Sequence, residues 1–137
     1  MRRLHPFRSL CLLLFLSTCG DVVYEEPFGP PIAVVRGNLV LEWSINGAID
    51  PALCNQVQAT TLEIEVTPVN GLPGLYSQYC DYFATNISLP PGLYYARAWL
   101  LDPWGNARTT YVTLERFRIF GNDRLTIPID FPPSSFY

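Results

Sequence analysis

The sequence predicts an all-β protein, an antiparallel Greek-key β-sandwich of about seven strands. The first supporting observation is that short runs after residue 31 alternate between hydrophobic and polar residues, without a helical period of useful length. The second is that glycine, proline, asparagine and aspartate separate these runs. The third is a composition of 14% aromatic and 15% charged residues, which favours a packed core over disorder. With 137 residues, the chain has room for one domain.

Four strands are predicted most clearly, because hydrophobic residues recur at every second position in each of them. Pro128 lies within the last of these strands and cannot donate a hydrogen bond to a neighbour, so we expect that strand to lie at a sheet edge or to leave its nitrogen side free at Pro128. The residues that share one face of each strand are Leu39, Leu41, Trp43 and Ile45; Leu62, Ile64 and Val66; Tyr94, Ala96, Ala98 and Leu100; and Leu125, Ile127, Ile129 and Phe131.

Three other segments are weaker strand candidates, namely residues 32–35, 78–84 and 108–120. The alternation in the last segment changes phase near Leu114, which predicts a β-bulge or two separate strands. Turn-forming residues fill 102–106 and 121–123. Before the second clear strand, Asp50-Pro51 predicts the start of one helical turn, with Asp as cap and Pro at the first helical position.

The first eighteen residues have the three-part layout of a signal peptide. Three arginines precede a run of seven apolar residues from Leu10 to Leu16, and the small residues Ser17 and Thr18 follow. A bilayer span needs about twenty apolar residues, so this run is too short to be a transmembrane helix. We therefore expect export, with residues 1–18 as the signal peptide.

Residues 16–19, Leu-Ser-Thr-Cys, resemble the lipobox of bacterial lipoproteins over four positions. The resemblance implies that Cys19 is lipidated and becomes the first mature residue, although Thr18 replaces the usual Gly, Ala or Ser. Residues 19–31 then form a membrane-proximal tether that prolines extend. The expected location is the cell envelope, lipid-anchored on the periplasmic or outer face. Ordinary signal-peptide cleavage and secretion is the alternative.

The cysteine count agrees with an exported protein. Of the four cysteines, Cys11 leaves with the signal peptide, and an odd number remains. A thioether on Cys19 leaves Cys54 and Cys80 to form a disulfide that pins the loop after the second strand to the fourth. In the secreted alternative, Cys19 is lost or free. A metal site built on two cysteines without a nearby histidine is disfavoured.

Residues 89–94, Leu-Pro-Pro-Gly-Leu-Tyr, resemble the L-x-P-G-x-Y tyrosine corner of Greek-key sandwiches. In that motif the tyrosine, here Tyr94, hydrogen-bonds the backbone upstream as the chain crosses between sheets. From this motif to Gly105, the sequence resembles immunoglobulin-like and transthyretin-like (carboxypeptidase-regulatory-type) domains. The resemblance implies a sandwich, and the strand pattern sets its expected extent at residues 32–131, followed by a C-terminal tail at 132–137. It leaves the two topologies open.

Charge and residue types exclude several functions. From Cys19 onward the chain has six arginines and twelve carboxylates, which give a net charge of about −6. The arginines form no basic stripe, so we expect no nucleic-acid partner. The only histidine is His5, in the signal peptide, and there is no lysine. The mature chain therefore lacks the histidine and lysine side chains that three kinds of chemistry require. These are nucleophilic catalysis by a histidine-activated serine or cysteine, Schiff-base chemistry, and zinc binding by histidine. We expect no catalytic residues and no cofactor.

Carboxylates are the remaining reactive groups. Glu63 and Glu65 share a strand face and could in principle serve glycoside hydrolysis, but adjacent outward glutamates are more typical of a solvated face. A calcium site at the turns, built from Asp102, Asn106 and Asn122 or Asp123, is disfavoured because those residues suit turns without a metal. We therefore expect no metal.

The number of aromatic residues exceeds what the core of one small domain needs. The first functional hypothesis is a non-enzymatic cell-envelope lipoprotein that presents its sandwich for protein contact or structural support, with an envelope protein as partner. The alternative is a carbohydrate-binding module that uses Tyr79, Tyr82, Trp99 and Trp104. A coplanar exposed row of these four rings favours glycan binding, whereas burial against the second sheet face or the disulfide loop removes its support.

Overall fold

The computed structural model describes Gly29 and residues 32–137, and residues 33–137 form one compact unit. The predicted signal peptide, Cys19 and the predicted tether apart from Gly29 lie outside the described residues. None of the helices in the described part of the chain has the length and hydrophobicity of a membrane span.

The structure confirms the all-β class, with seven strands, one short α-helix and two 3₁₀ turns in the described residues. Asp50 caps the helix by accepting a hydrogen bond from the backbone N–H of Ala52 at 2.9 Å. In chain order the elements are β1 (Gly37–Ile45), α1 (Pro51–Gln56), β2 (Thr61–Pro68), β3 (Gly74–Tyr79), a 3₁₀ turn (Cys80–Tyr82), β4 (Ala84–Leu89), β5 (Gly92–Leu101), β6 (Val112–Ile119), β7 (Arg124–Phe131) and a second 3₁₀ turn (Pro133–Ser135).

The strands form a three-stranded sheet in the order β4-β1-β7 and a four-stranded sheet in the order β3-β2-β5-β6. Neighbouring strands run antiparallel except β1 and β7, which run parallel. Hydrophobic alternation sets which face of a strand is buried but not its direction, so this pair was not predicted. Because these two strands lie at opposite ends of the domain sequence, the intervening chain supplies the long crossover that a parallel pair requires.

The core lies between the two sheets and includes the predicted alternating residues of β1, β2 and β5. Of the residues predicted in β7, Phe131 is buried and the others are half-buried. The core also contains hydrophobic residues that were not predicted, namely Phe83, Ile87, Leu89, Leu114, Phe117 and Ile119. Trp43 is the largest fully buried side chain, and its Nε1 donates a hydrogen bond to the carbonyl oxygen of Cys80 at 3.0 Å. Its ring packs on Phe83, with centroids 6.1 Å apart. Burial of these side chains supplies the main stabilising free energy of the fold.

Two weaker strand predictions need correction. Residues 32–35 form no strand. Residues 78–84 do not form one strand either, because they contain the end of β3, a 3₁₀ turn and the start of β4. The chain reverses there at Phe83, which adopts a left-handed backbone conformation with φ of 53°. That conformation breaks an extended strand and lets β3 and β4 join different sheets.

Two other sequence predictions are confirmed. The pairing of β5 with β6 shifts register between Tyr94 and Ala96, whose partners are Phe117 and Leu114, so a bulge lies where the alternation changes phase. Pro128 lies in β7, at the edge of the three-stranded sheet.

The last residues pack beside the loop that precedes β6. The N–H of Thr110 donates to the carbonyl of Ser135 at 2.8 Å, and the N–H of Tyr137 donates to the carbonyl of Arg108 at 3.2 Å. Ser135 is buried. The segment after β7 is therefore fastened to the sandwich by backbone hydrogen bonds.

Candidate functional site

The outer side of the four-stranded sheet is rich in aromatic residues. Its strand register places Trp99 opposite Glu63, Arg97 opposite Glu65, and Tyr95 opposite Thr67. We call the outward residues of this sheet, with the adjoining Tyr111, the aromatic face. Its members include Glu63, Glu65, Leu75, Ser77, Tyr79, Tyr95, Arg97, Trp99, Tyr111 and Thr113.

Arg97 organises the centre of the aromatic face. Its Nε lies 2.9 Å from Oε1 of Glu65, and its Nη2 donates to Oε2 at 3.1 Å, so the ion pair is bidentate. The guanidinium carbon lies 4.5 Å from the ring centroid of Tyr111 and 5.9 Å from that of Trp99. The hydrogen bond with Glu65 raises the pKa of Arg97, against a smaller opposing effect of desolvation. The cation is thus held over two aromatic rings.

The two rings also contact each other. Trp99 and Tyr111 meet edge to face at 86°, with centroids 4.9 Å apart. Tyr111 therefore partly covers Trp99, and Arg97 covers one side of Tyr111. Cation, carboxylate and rings form a preorganised cluster, which reduces the side-chain entropy lost when a partner binds.

The outer side of the other sheet differs in composition. Val40 points outward there but is only 3% exposed. We call this outer side the polar face; apart from Val40, its strand residues are Asn38, Glu42, Ser44, Ala84, Asn86, Ser88, Arg124, Thr126, Pro128 and Asp130. No aromatic residue belongs to the polar face in the described strands. The aromatic surplus on the opposite side is therefore not a general property of this surface.

A second group of aromatic residues surrounds the disulfide. Cys54 in α1 is bonded to Cys80 in the 3₁₀ turn after β3, with 6.0 Å between the Cα atoms. The predicted bond is present, and it joins two short helical segments. Tyr79 and Tyr82 flank it, with exposed fractions of 63% and 61%, and their rings meet edge to face at 5.7 Å.

Trp104 lies in the loop between β5 and β6 and is 82% exposed. Oδ1 of Asp102 accepts hydrogen bonds from the backbone N–H of Trp104 at 2.9 Å and of Asn106 at 2.8 Å. Desolvation alone would raise the pKa of Asp102, but hydrogen bonds from Asn106 and Trp104, with the charge of Arg108, lower it overall. The loop is therefore fixed while its indole ring stays in solvent.

The structure also locates the residues considered for a metal site. Asn106 donates its side-chain amide to Oδ2 of Asp102 at 3.0 Å, so both side chains serve the loop. Oδ1 of Asp123 accepts from the N–H of Arg124 at 2.8 Å. Among the described residues, no cluster of three or more His, Cys, Asp or Glu side chains could hold a metal ion.

The four aromatic residues proposed from sequence occupy two regions. Trp99 lies within the aromatic face, Tyr79 lies at its corner, and Tyr82 and Trp104 lie near the disulfide. They do not form a coplanar row, since the rings of Tyr79 and Tyr82 alone are 68° apart. Sequence reasoning missed Tyr111, which lies in the segment whose alternation changes phase.

Tyr94 lies away from both aromatic groups. Its hydroxyl donates to the carbonyl of Pro90 at 2.6 Å, which is the type of contact that defines a tyrosine corner. Its ring stacks on Phe117 with centroids 5.9 Å apart. Burial raises the pKa of the Tyr94 hydroxyl; the charge of Arg36 opposes this effect and Tyr76 adds to it. The geometry gives this tyrosine a structural contact at the crossing between sheets.

Comparisons with known proteins do not assign the chain to a family. No protein-family model matches the chain. No curated protein sequence matches it. Among solved structures, the chain is similar to one from Bacteroides thetaiotaomicron described as "putative polysaccharide binding proteins (DUF1812)", with 14% identity and a TM-score of 0.39. The match covers 67% of this chain and 46% of that one, so the chain spans less than half of that structure. A likeness this distant establishes no shared ligand.

Proposed function

We propose that the chain is a non-enzymatic cell-envelope lipoprotein whose sandwich binds a protein partner through the aromatic face. The observation that carries this proposal is the contrast between the two outer sheet faces. One face holds the preorganised cluster of Arg97, Glu65, Trp99 and Tyr111, and the other holds small and polar residues. Natural sheets that only face water usually carry polar outward residues, so the aromatic cluster needs a partner to explain it.

The chemistry of the aromatic face favours a protein over a sugar. Tryptophan, tyrosine and arginine are the side chains that most often dominate protein–protein binding energy. A sugar ring stacks on an open aromatic face, whereas here Arg97 covers one side of Tyr111 and Tyr111 meets Trp99 edge to face. Leu75, on the same face, is 60% exposed and adds an aliphatic contact area. A protein partner can use ring edges, the guanidinium and leucine together.

The strand order supports a transthyretin-like rather than an immunoglobulin-like type of sandwich. In an immunoglobulin domain the first two strands are neighbours in one sheet. Here β1 and β2 belong to different sheets, and β1 lies between β4 and β7. We therefore favour the transthyretin-like alternative of the two that the tyrosine-corner segment resembles.

Sequence features support the export and anchoring parts of the proposal. The signal-peptide layout and the lipobox-like residues precede a domain with a disulfide, and disulfides persist mainly in oxidising compartments. The absence of lysine, and of histidine beyond His5, supports a binding role rather than an enzymatic one. Glu65 is paired with Arg97 and does not face Glu63 across a cleft. Lipidation at Cys19 would hold the sandwich in the cell envelope.

The lipid anchor is tested by the substitution Cys19→Ala. We expect the variant to leave the membrane fraction and to accumulate in an unprocessed or soluble form, because the acceptor of the lipid is gone. Cys11→Ala is the matched control, since it removes a cysteine from the signal peptide and should leave fractionation unchanged. A Cys19→Ala protein that fractionates like the unchanged chain contradicts the anchor.

The protein contact is tested by photo-crosslinking in intact cells. A benzoylphenylalanine placed at Tyr95, on the aromatic face, should give a discrete protein adduct on illumination. The same probe at Glu42, on the polar face, should give none. Adding Trp99→Ala should lower the adduct yield about fivefold or more, because loss of a central aromatic contact typically costs over about 1 kcal/mol of binding.

Phe120→Ala is the control for the crosslinking yield. Phe120 is an exposed aromatic residue that follows β6, at the end of the sandwich opposite the disulfide. Its removal should leave the adduct yield unchanged. Equal adducts from both sheet faces, or no adduct from Tyr95, would contradict a partner site on the aromatic face.

A further inference from the structure

A groove crosses the end of the sandwich that carries the disulfide. Two adjoining cavities of about 320 and 350 Å³ form it, and both are lined by Asn55, Ala59 and Thr60. The first cavity extends to Tyr79 and the second to Trp104. We call the two together the end groove. Its other lining residues are Pro51, Cys54, Gln58, Cys80, Asp81 and Pro103.

The floor of the end groove is fixed by covalent and hydrogen bonds. The disulfide joins α1 to the turn after β3. The N–H of Ala59 donates to the carbonyl of Cys54 at 2.8 Å, and the N–H of Thr60 donates to that of Leu101 at 2.8 Å. Gln58 adopts a left-handed backbone with φ of 57°, an uncommon conformation for this residue type. The groove is therefore preformed.

The side chains along the groove combine aromatic and polar groups. Tyr79 and Trp104 lie at its two ends, and both are mostly exposed. Asn55, Gln58 and Asp81 lie between or beside them. No hydrogen bond among the described residues uses the side-chain amides of Asn55 and Gln58 or the carboxylate of Asp81. Amides supply donors and acceptors together, and the carboxylate accepts.

We propose that the end groove binds a neutral polysaccharide, with Trp104 and Tyr79 stacking on sugar rings and the amides binding hydroxyl groups. A sugar ring has an apolar face that suits an exposed indole or phenol, and hydroxyls that suit amide partners. The one ionised side chain in the lining is Asp81, and no arginine lines the groove, so an acidic glycan would be repelled. Aromatic rings at both ends fit a chain better than a single sugar.

Binding is tested with the full chain and a panel of neutral glycans, namely laminarin, xylan, galactomannan, starch, cellulose and chitin, with alginate as an acidic comparison. We expect retention by at least one neutral glycan in affinity electrophoresis or pull-down, and none by alginate. Trp104→Ala should weaken that retention about tenfold, because it removes an aromatic stacking contact. Phe120→Ala, an exposed aromatic substitution at the opposite end, should leave it unchanged.

Tryptophan fluorescence gives a second readout. Trp104 is 82% exposed, Trp99 is half-buried outside the groove, and Trp43 is 1% exposed. A sugar that stacks on the exposed Trp104 should therefore shift its emission to the blue. The shift should disappear in Trp104→Phe. Retention of no neutral glycan, or equal retention by Trp104→Ala and Phe120→Ala, overturns the proposal. Trp104→Ala should leave crosslinking from Tyr95 unchanged, so failure here is distinguishable from failure of the protein-contact site.

Discussion

Trp43→Ala is expected to lower the free energy of unfolding by about 3–5 kcal/mol. The indole is 1% exposed, packs against Phe83 in the core, and donates to the carbonyl of Cys80. Its removal leaves a large cavity and an unpaired buried carbonyl oxygen, and both destabilise the fold. Small domains have a total stability of about 5–15 kcal/mol, so the variant should lie near the limit of folding. Urea denaturation followed by far-UV circular dichroism measures the effect.

Trp43→Phe separates the two contributions to this loss. Phenylalanine keeps an aromatic ring near Phe83 but cannot donate to the carbonyl of Cys80. We expect a smaller loss of about 1–3 kcal/mol from the unsatisfied acceptor. Trp104→Ala is the matched surface control, because an exposed indole without a core contact should change the midpoint little. A Trp43→Ala midpoint within error of the unchanged protein would contradict the central position of Trp43.

The burial of the central strands could be predicted from sequence because their alternation is simple. In β1 and β2 nearly all the hydrophobic residues face the other sheet, so the period of two directly reports the buried face. In β5 the buried residues also alternate, but Tyr95 and Trp99 lie on the outer face. In β3 this relation fails, because each face of the strand carries both hydrophobic and polar residues. Leu75 and Tyr79 face solvent while Gln78 points to the interior side, and the alternation therefore gives no usable signal. Strand β3 was predicted only in its last two residues for this reason.

The aromatic face could be predicted only in part. Sequence periodicity places Trp99 and Arg97 on one side of β5, but it does not reveal which residues of neighbouring strands stand beside them. The antiparallel register brings Glu65 opposite Arg97, and the loop before β6 brings Tyr111 over the same position. Such contacts depend on pairing between strands distant in sequence. The ion pair and the Tyr111 contact were therefore not visible in the linear pattern.

The two proposed binding regions differ in what holds them in place. The aromatic face belongs to the β-sheet itself, whose hydrogen-bonded strands fix the positions of Trp99 and Arg97. The end groove depends on α1 and the turn after β3, which are short segments with little regular structure of their own. An isolated helix of that length is not stable in water. We therefore expect loss of the disulfide to affect the groove far more than the sheet.

Replacing both Cys54 and Cys80 with alanine is accordingly expected to lower the free energy of unfolding by about 3–4 kcal/mol. The two cysteines are 26 residues apart, and a loop of that length loses substantial entropy when it is closed in the unfolded state. Hydrogen exchange should rise first in α1 and residues 80–82, and protection of β2 and β5 should persist. Reducing the disulfide of the unchanged protein is the matched control and should reproduce both effects. If reduction shifts neither the denaturation midpoint nor exchange in α1, the disulfide does not support this end of the sandwich.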